Sequence, residues 1–364
     1  MTSFVKHREI VDTVWRTEPD GITRFDKLRL DKNERIGPFP PELLKEFVDG
    51  IDEQKIQAYP EVFPLYEKLA SFHKLETKNI LLTAGSDAAI RHCFEVFVNP
   101  GDRLIYLDPT FAMVTVYGGL FGANMSGVQY DANLEIDVDK VVSLIDQETS
   151  LIVMANPNSP TGTYLPNDSV KRIAEVAARY RIPLLIDEAY YGFCPYTAMD
   201  LITDHANIIV ARTFSKVAGM AGLRVGYAIG HRDVISLLTK FRPMYEVNSL
   251  AILFALKILD NWHVAEEYGR ETIKGRNYFS DFLKSLGFPV VDTETNFLHV
   301  DFGQKKDKVI QAMNDRGMLV RGMLSIPGYE NYTRFSVGPR EVMEPVMRAI
   351  YDVLEEKRIP FNSK

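Results

Sequence analysis

Cysteine is scarce: Cys93 and Cys194 are the only two in 364 residues. Two thiols cannot build a disulfide framework. The count suits a reducing cytoplasm, where a free cysteine acts as a small apolar side chain. Long apolar runs are also missing. The longest, residues 250–256, stops at Lys257 and falls well short of the ~18 residues of a membrane span. The opening stretch MTSFVKHREIVDTVWRTEPDG lacks the apolar centre of a secretory signal. The seven histidines stand singly, without His-x-x-x-His or Cys/His ligand spacing, so no zinc site is expected. G-x-G-x-x-G, G-x-x-x-x-G-K-[ST] and G-x-S-x-G are all absent. That excludes the common dinucleotide and phosphate loops and the hydrolase nucleophile elbow. Charge of one sign is in small excess only. A net charge of −7 argues against a broad nucleic-acid surface and leaves room for a local basic pocket.

What is present is an ordinary globular balance, 46% hydrophobic and 25% charged. The chain is long enough for about two domains. From residue 79 onward, short apolar runs alternate with longer amphipathic ones. The runs at 79–83, 103–107, 151–155, 184–187, 208–211 and 225–229 have the length and composition of strands buried on both faces. Helical periodicity fills several gaps, as at 86–98 and 168–180, with Asp168 placed to cap the second. Such alternation implies an α/β unit with a mostly parallel sheet between helices, residues 45–245. A helical stretch at 249–285 follows. Beyond it, strand patterns at 297–301, 318–321 and 333–337 accompany helical ones at 307–316 and 340–356, which describes a smaller α+β domain, residues 246–364. Residues 1–44, with Pro38, Pro40 and Pro41 and little periodicity, are expected to wrap onto that smaller domain. The pair Gly118-Gly119 reads as a turn or a helix-packing feature.

Chemistry concentrates where apolar strands end. Asp187-Glu188-Ala189-Tyr190 follows Leu184-Leu185-Ile186, and ligands of open α/β sheets sit beyond the carboxyl ends of strands. A carboxylate buried there needs a cationic partner. The protonated nitrogen of a pyridine ring is one candidate and a metal ion another. Tyr190 is placed to donate to a phenolate on such a ring. Lys216 follows another apolar strand among small residues. A lysine that forms a Schiff base must first lose its proton, and desolvation and nearby Arg224 both favour that loss. Thr213, Ser215 and Arg224 suit a phosphate dianion. Gly85-Ser86-Asp87 opens a helix after a strand, where free amides hold anions; a plain N-cap is the simpler reading. Residues 156–162 form an irregular loop after a strand end, with amides that can reach a ring oxygen. Arg334, inside an apolar strand pattern, and Arg321, ending the one before, call for anions, whether substrate or internal carboxylate.

Taken in order, Leu30-Asp31-Lys32-Asn33-Glu34, Ala58-Tyr59-Pro60, Gly85-Ser86-Asp87, Pro109-Thr110-Phe111, Asn158-Ser159-Pro160-Thr161-Gly162, Asp187-Glu188-Ala189-Tyr190, Thr213-Phe214-Ser215-Lys216 and Ala221-Gly222-Leu223-Arg224 make the chain resemble the fold-type I aminotransferases. The branch is that of histidinol-phosphate aminotransferase and threonine-phosphate decarboxylase. The resemblance implies a large domain with a mostly parallel seven-stranded sheet, a smaller α+β domain, and pyridoxal 5′-phosphate as cofactor. It implies Lys216 as the Schiff-base lysine and proton shuttle, Asp187 as partner of the ring nitrogen and Tyr190 as donor to the ring phenolate. Gly85, Ser86, Asp87, Thr213, Ser215 and Arg224 resemble the phosphate cup, and Phe111 the aromatic stacked on the ring. Ser159 stands where the family often has the asparagine that donates to the phenolate, so Asn158 and Ser159 are both candidates for that contact. Tyr59 resembles the tyrosine that reaches the cofactor of the other subunit in a homodimer. Arg334 resembles the clamp for the substrate α-carboxylate, and Arg321 an arginine that helps bind substrate phosphate. The Pro-Tyr-x-Pro-Gly-like segment common in histidinol-phosphate enzymes is not evident in residues 1–30. The implied reaction moves an amino group between an amino acid and a 2-oxo acid by a ping-pong route. Decarboxylation of a phosphorylated amino acid is the alternative; a non-catalytic interaction protein is a third reading, disfavoured by the presence of Lys216, Asp187 and Arg224.

Overall fold

The computed structural model describes residues 5–14, 21, 23–322 and 326–354. Its largest sheet is built from β2 (Ile80–Thr83), β3 (Arg103–Asp108), β4 (Asn124–Gln129), β5 (Thr149–Ala155), β6 (Leu184–Asp187), β7 (Ile208–Thr213) and β8 (Gly226–Gly230). Their spatial order is β2-β8-β7-β6-β5-β3-β4. β8 runs antiparallel to both neighbours, and every other pairing is parallel. The apolar runs make these strands because both faces are covered. Ile105, Ile152, Met154, Leu184 and Ile186 point into a core on one face. Leu104, Leu151, Val153, Leu185 and Ile209 alternate into a core on the other. Each such side chain contributes about 1.5–3 kcal/mol when fully buried.

The six apolar runs all appear as strands of this sheet. The seventh, β4, went unread because Asn-Met-Ser-Gly-Val-Gln has almost no apolar run. It lies at the sheet edge and buries only Val128, so little apolar content is needed. Gly118 lies within the helix Ala112–Phe121, where a Cβ would clash with Met125 Sδ. It is a packing glycine that lets this helix close on β4. Asp168 is not the N-cap of its helix: Pro166 is, the helix runs Asn167–Arg179, and Asp168 stands within the first turn, where its charge still favours the dipole.

The stretch 249–285 is two helices, Ser249–Asp260 and Trp262–Ser285, broken at Asn261. Past them, β9 (Val290–Val291), β10 (Phe297–Asp301) and β12 (Tyr332–Ser336) form an antiparallel sheet of order β12-β10-β9. β11 (Met318–Val320) pairs in parallel with β1 (Leu28–Leu30). The helices here are Lys306–Asp315 and Arg340–Leu354; the end of the second expected helix, at 355–356, lies outside the described residues. Phe279, Leu298, Val300, Phe335 and Ile350 form the core beside this sheet, together with Leu30 and Ile36 from the N-terminal segment.

That segment does not wrap onto the smaller unit alone. The turn Glu9–Thr13 lies by the helix Ala112–Phe121, and the Arg8 guanidinium donates to Leu120 O at 2.9 Å. The helix Pro41–Asp49 packs on Ser249–Asp260, with Phe47 stacked on Phe254 at 4.6 Å. The segment's contacts are thus divided among Ala112–Phe121, Ser249–Asp260 and the core beside β10. No helix among the described residues is long and apolar enough to cross a membrane.

Candidate active site

Asp108, Ala155, Asp187 and Thr213 are the last residues of β3, β5, β6 and β7, and all four line one cavity of about 650 Å³. Parallel strands bring their carboxyl ends to one sheet edge, which is where a cleft opens. β8, being antiparallel, contributes at its start instead. Thr213 pairs with Gly226, so residues 214–225 form one closed loop carrying Ser215, Lys216 and Arg224 to the same rim.

Asp187 is buried, and its Oδ1 has no hydrogen-bond partner. Burial pushes its pKa up to about 7; the Ala189 N–H opposes the shift, the Asp87 carboxylate adds to it, and Ser86 and Lys216 oppose it. Glu188, the next residue, faces away from the cavity. It is fully engaged with Arg212 at 2.9 Å, the Thr197 hydroxyl and the Ala198 N–H. Arg212 also lies over the Tyr191 ring at 3.5 Å. Burial works against the Arg212 charge, yet Glu188 holds its pKa above the usual value. Two adjacent carboxylates thus have opposite environments, a distinction the run Asp-Glu-Ala-Tyr does not reveal by itself.

Lys216 Nζ donates to Lys32 O at 3.1 Å and lies 5.7 Å from the Tyr190 ring centre. Burial lowers its pKa; Tyr190 opposes, Arg334 adds to the lowering, and Glu34 and Asp187 oppose. Tyr190 is buried edge-on against Phe297, and its hydroxyl accepts from Asn33 Nδ2 at 2.7 Å.

The corner around Arg224 is built by glycines. Gly85 has φ +84°, and a Cβ on it would meet Arg224 Nη2 at 2.8 Å. A Cβ on Gly226 would lie 2.7 Å from Gly85 C and 2.8 Å from Ser86 N. Only glycine lets β8, this turn and the guanidinium close together. The turn opens the helix Ser86–Phe97, whose first amides have no helical acceptor. Thr213 Oγ1 donates to Ser215 Oγ at 2.8 Å beside it, and Arg224 Nη1 donates to Ala221 O at 3.1 Å. The Asp87 carboxylate accepts from Tyr117 Oη at 3.1 Å.

Phe111 lines the cavity, as does Ser159. Asn158 does not: its amide donates to Pro109 O at 2.9 Å and to Thr161 Oγ1 at 2.8 Å, and its oxygen accepts from Thr110. The structure therefore brings Ser159 to the site and turns Asn158 into the loop that carries it. Tyr59 lies outside the cavity of its own chain, 75% exposed and stacked on Tyr245 at 4.3 Å.

Arg334 sits on β12, 6% exposed, with Nη2 donating to Asp31 O at 2.7 Å and a buried Nε that has no partner. Burial lowers its pKa to about 10, with Tyr190 opposing and Arg321 adding to the shift. Arg321 pairs with it through the backbone and is exposed at the cavity wall. Sequence reasoning had not singled out Asp31, Lys32 and Asn33 one by one. These three consecutive residues hold Arg334, Lys216 and Tyr190.

These features fit pyridoxal phosphate. An orphaned buried carboxylate oxygen at the cavity floor suits a protonated ring nitrogen. A glycine-cleared helix start beside Arg224 suits a phosphate. A lysine of lowered pKa and a buried arginine lacking a carboxylate line the same cavity.

The family model described as aminotransferase class I and II matches residues 26–350. The histidinol-phosphate aminotransferase of Thermoanaerobacter pseudethanolicus is 29% identical over 95% of this chain and 100% of that protein. That of Methanocaldococcus jannaschii is 30% identical over 92% and 91%. The crystal structure of the Sinorhizobium meliloti histidinol-phosphate aminotransferase in complex with pyridoxal-5′-phosphate shares the fold, with a TM-score of 0.86 at 21% identity. It covers 98% of this chain and 100% of its own.

Proposed function

Because the chain belongs to the class I and II aminotransferases, which are pyridoxal-phosphate enzymes, we propose that it moves an amino group between histidinol phosphate or a related phosphorylated amine and a 2-oxo acid, with Lys216 carrying the cofactor. The observation that carries the proposal is the placing of Asp187, Lys216 and Arg334 around one cavity, Asp187 and Arg334 buried with an unpaired polar atom each and Lys216 bonded there only to a backbone carbonyl. When bound, pyridoxal phosphate supplies an aldehyde that captures the amine and a ring that takes up the electron pair released at the substrate carbon.

The chain does the rest. Asp187 Oδ1 keeps a proton on the ring nitrogen. Lys216 Nζ, with its lowered pKa, would take the proton from the substrate carbon and hold it for return. Tyr190 donates to the ring oxygen, with Ser159 beside it. Phe111 covers the ring face, and Gly85, Ser86, Thr213, Ser215 and Arg224 hold the phosphate. Asp87 joins this cup through the helix start rather than through its carboxylate, which is bonded to Tyr117. Arg334 gives a planar fork for a carboxylate, and orienting the substrate at two points aligns its C–H bond with Lys216. Histidinol phosphate has a phosphate and no carboxylate. The pair Arg334 and Arg321 serves either anion, so both half-reactions use one pocket.

In this reading residues 1–44 form an N-terminal segment packing on the smaller unit, 45–245 the cofactor-binding unit and 246–364 the smaller unit. The enzyme is a cytoplasmic homodimer in which Tyr59 completes the partner's site. Supporting that, Ile56, Tyr59, Phe63, Met244 and Tyr245 are all exposed apolar side chains of neighbouring segments.

Borohydride reduction of the holoenzyme and peptide mapping test the cofactor site: the label is expected on Lys216, and a label on any other lysine overturns it. A panel of amines read by conversion of the cofactor's visible absorption tests the substrate. Histidinol phosphate is expected among the fastest donors.

A further inference from the structure

Asn33 lies in the left-handed region, φ 56°, which asparagine tolerates better than most residues, and it is buried. Its polar groups are all engaged. The backbone N–H donates to Ser336 Oγ at 2.8 Å, and the Ser336 hydroxyl donates to Asn33 Oδ1 at 3.0 Å. The backbone carbonyl accepts from Asn296 Nδ2 at 3.1 Å. These bonds orient the side-chain amide. A serine hydroxyl that accepts the N–H has its one hydrogen for Oδ1, which leaves the amide nitrogen facing Tyr190. Nδ2 donates to Tyr190 Oη at 2.7 Å.

A phenol has one hydrogen of its own and can also accept. The Asn33 amide nitrogen is a donor only, so the Tyr190 hydrogen cannot point at it. We propose that Asn33 is a positioning residue for the reaction: by filling the acceptor side of the Tyr190 oxygen, it directs the phenolic hydrogen into the cavity toward the ring oxygen of the cofactor. The inference rests on the reading of Tyr190 as the ring-oxygen donor. The bonds run in one direction, Ser336 to Asn33 to Tyr190, and each donor strengthens the next. β12 therefore contributes twice to the site: Arg334 directly, and Ser336 through Asn33. The charged groups around Tyr190 are Lys216 in the loop after β7, Arg334 on β12, Asp187 at the end of its own strand, and Glu34 beside Asn33. None of them is altered in the variants below.

The test is a pH titration of the visible absorption of the lysine-bound cofactor. A ring oxygen that loses its donor becomes more basic and holds the proton shared with the lysine nitrogen more tightly. Tyr190→Phe is therefore expected to raise the transition by about one to two pH units, the loss of one hydrogen bond to an ionised oxygen. Asn33→Gly keeps the positive φ accessible and removes the donor. It is expected to raise the transition by a smaller amount, and to add nothing in the Tyr190→Phe background. An Asn33→Gly shift of zero, or one that persists undiminished in Tyr190→Phe, overturns the inference. Absence of a shift in Tyr190→Phe itself overturns instead the underlying reading of Tyr190. Asn33→Asp is the second variant. Its carboxylate accepts the phenolic hydrogen, so the transition should rise at least as far as in Tyr190→Phe; an unchanged transition again overturns the inference. A readout independent of cofactor is the 13Cζ resonance of Tyr190 in the cofactor-free protein, assigned by its loss in Tyr190→Phe. It is expected to move in both Asn33 variants, and a resonance left in place counts against the bond.

Discussion

The two sides of the β6–β7 strand ends are built from the same residue types and behave oppositely. On one side Glu188 and Arg212 form a closed ion pair with Thr197, Ala198 and the Tyr191 ring. On the other, Asp187 has an oxygen with no partner, and Arg334 rests on a backbone carbonyl with its Nε unpaired. Both arginines are buried, yet Glu188 holds the Arg212 pKa high while burial takes that of Arg334 down to about 10. The difference is one of saturation. A buried charge whose hydrogen bonds are complete fixes structure, and one left incomplete has binding capacity that a ligand can use.

The sharpest way to break this contrast is to neutralise the two adjacent carboxylates in turn. Asp187→Asn should cut kcat by ~10³, about 4 kcal/mol of barrier, with little loss of stability. Glu188→Gln should do the reverse, unfolding earlier in urea because Arg212 is left without its counter-charge, by about 3–5 kcal/mol. Steady-state kinetics and urea midpoints on both variants separate the outcomes; a stable Glu188→Gln would show that the pair is not structural.

The arginines make the second comparison. Arg212→Met should lose about 3–5 kcal/mol of stability because Glu188 is left buried and alone. Arg334→Lys should fold as the parent does and leave the cofactor absorption unchanged. Its KM for carboxylate-bearing donors should rise by roughly 10–100-fold, because lysine lacks the planar fork. Equal handling of those donors by parent and variant would move the clamp to Arg321.

The last comparison is a pH dependence. The folded chain holds the Asp187 proton more tightly than the unfolded chain, since its pKa rises from 3.8 to about 7. That contribution to stability is complete below pH 3.8 and is lost as pH rises through 7. Cofactor-free protein should therefore lose at most about 4 kcal/mol from this group between pH 4 and pH 8. Asp187→Asn removes the slope, which urea titrations at several pH values would reveal. A parent slope that persists in the variant would assign it to another group.

Much of this was legible in the chain. Leu184-Leu185-Ile186-Asp187 is read to the residue because both faces of β6 are covered, so apolarity alone marks it. Asp187, Lys216 and Arg224 follow from strand ends. β4 was not legible, since an edge strand needs few apolar residues. Nor was the division of labour between Asp187 and Glu188, or between Asn158 and Ser159. Alternation tells which neighbours face apart, and only tertiary packing decides which of the two meets the cavity. Asn33 was visible as part of a motif, but its positive φ and its bond to Tyr190 depend on residues far away in sequence.

The reversed direction of β8 has a bearing on how the site comes into being. Because Thr213 and Gly226 are paired across its base, the loop bearing Lys216 and Arg224 has no freedom to deliver one without the other. A chain slipped by one residue in this hairpin would turn the alternating faces of β8 over and carry Arg224 away from the Gly85 turn. Lys216 and Arg224 are thus assembled in one cooperative event, so that partly folded molecules presenting one at the cavity without the other should be rare. Hydrogen exchange of the β7 and β8 amides should then follow global unfolding, with no earlier local opening of this pair.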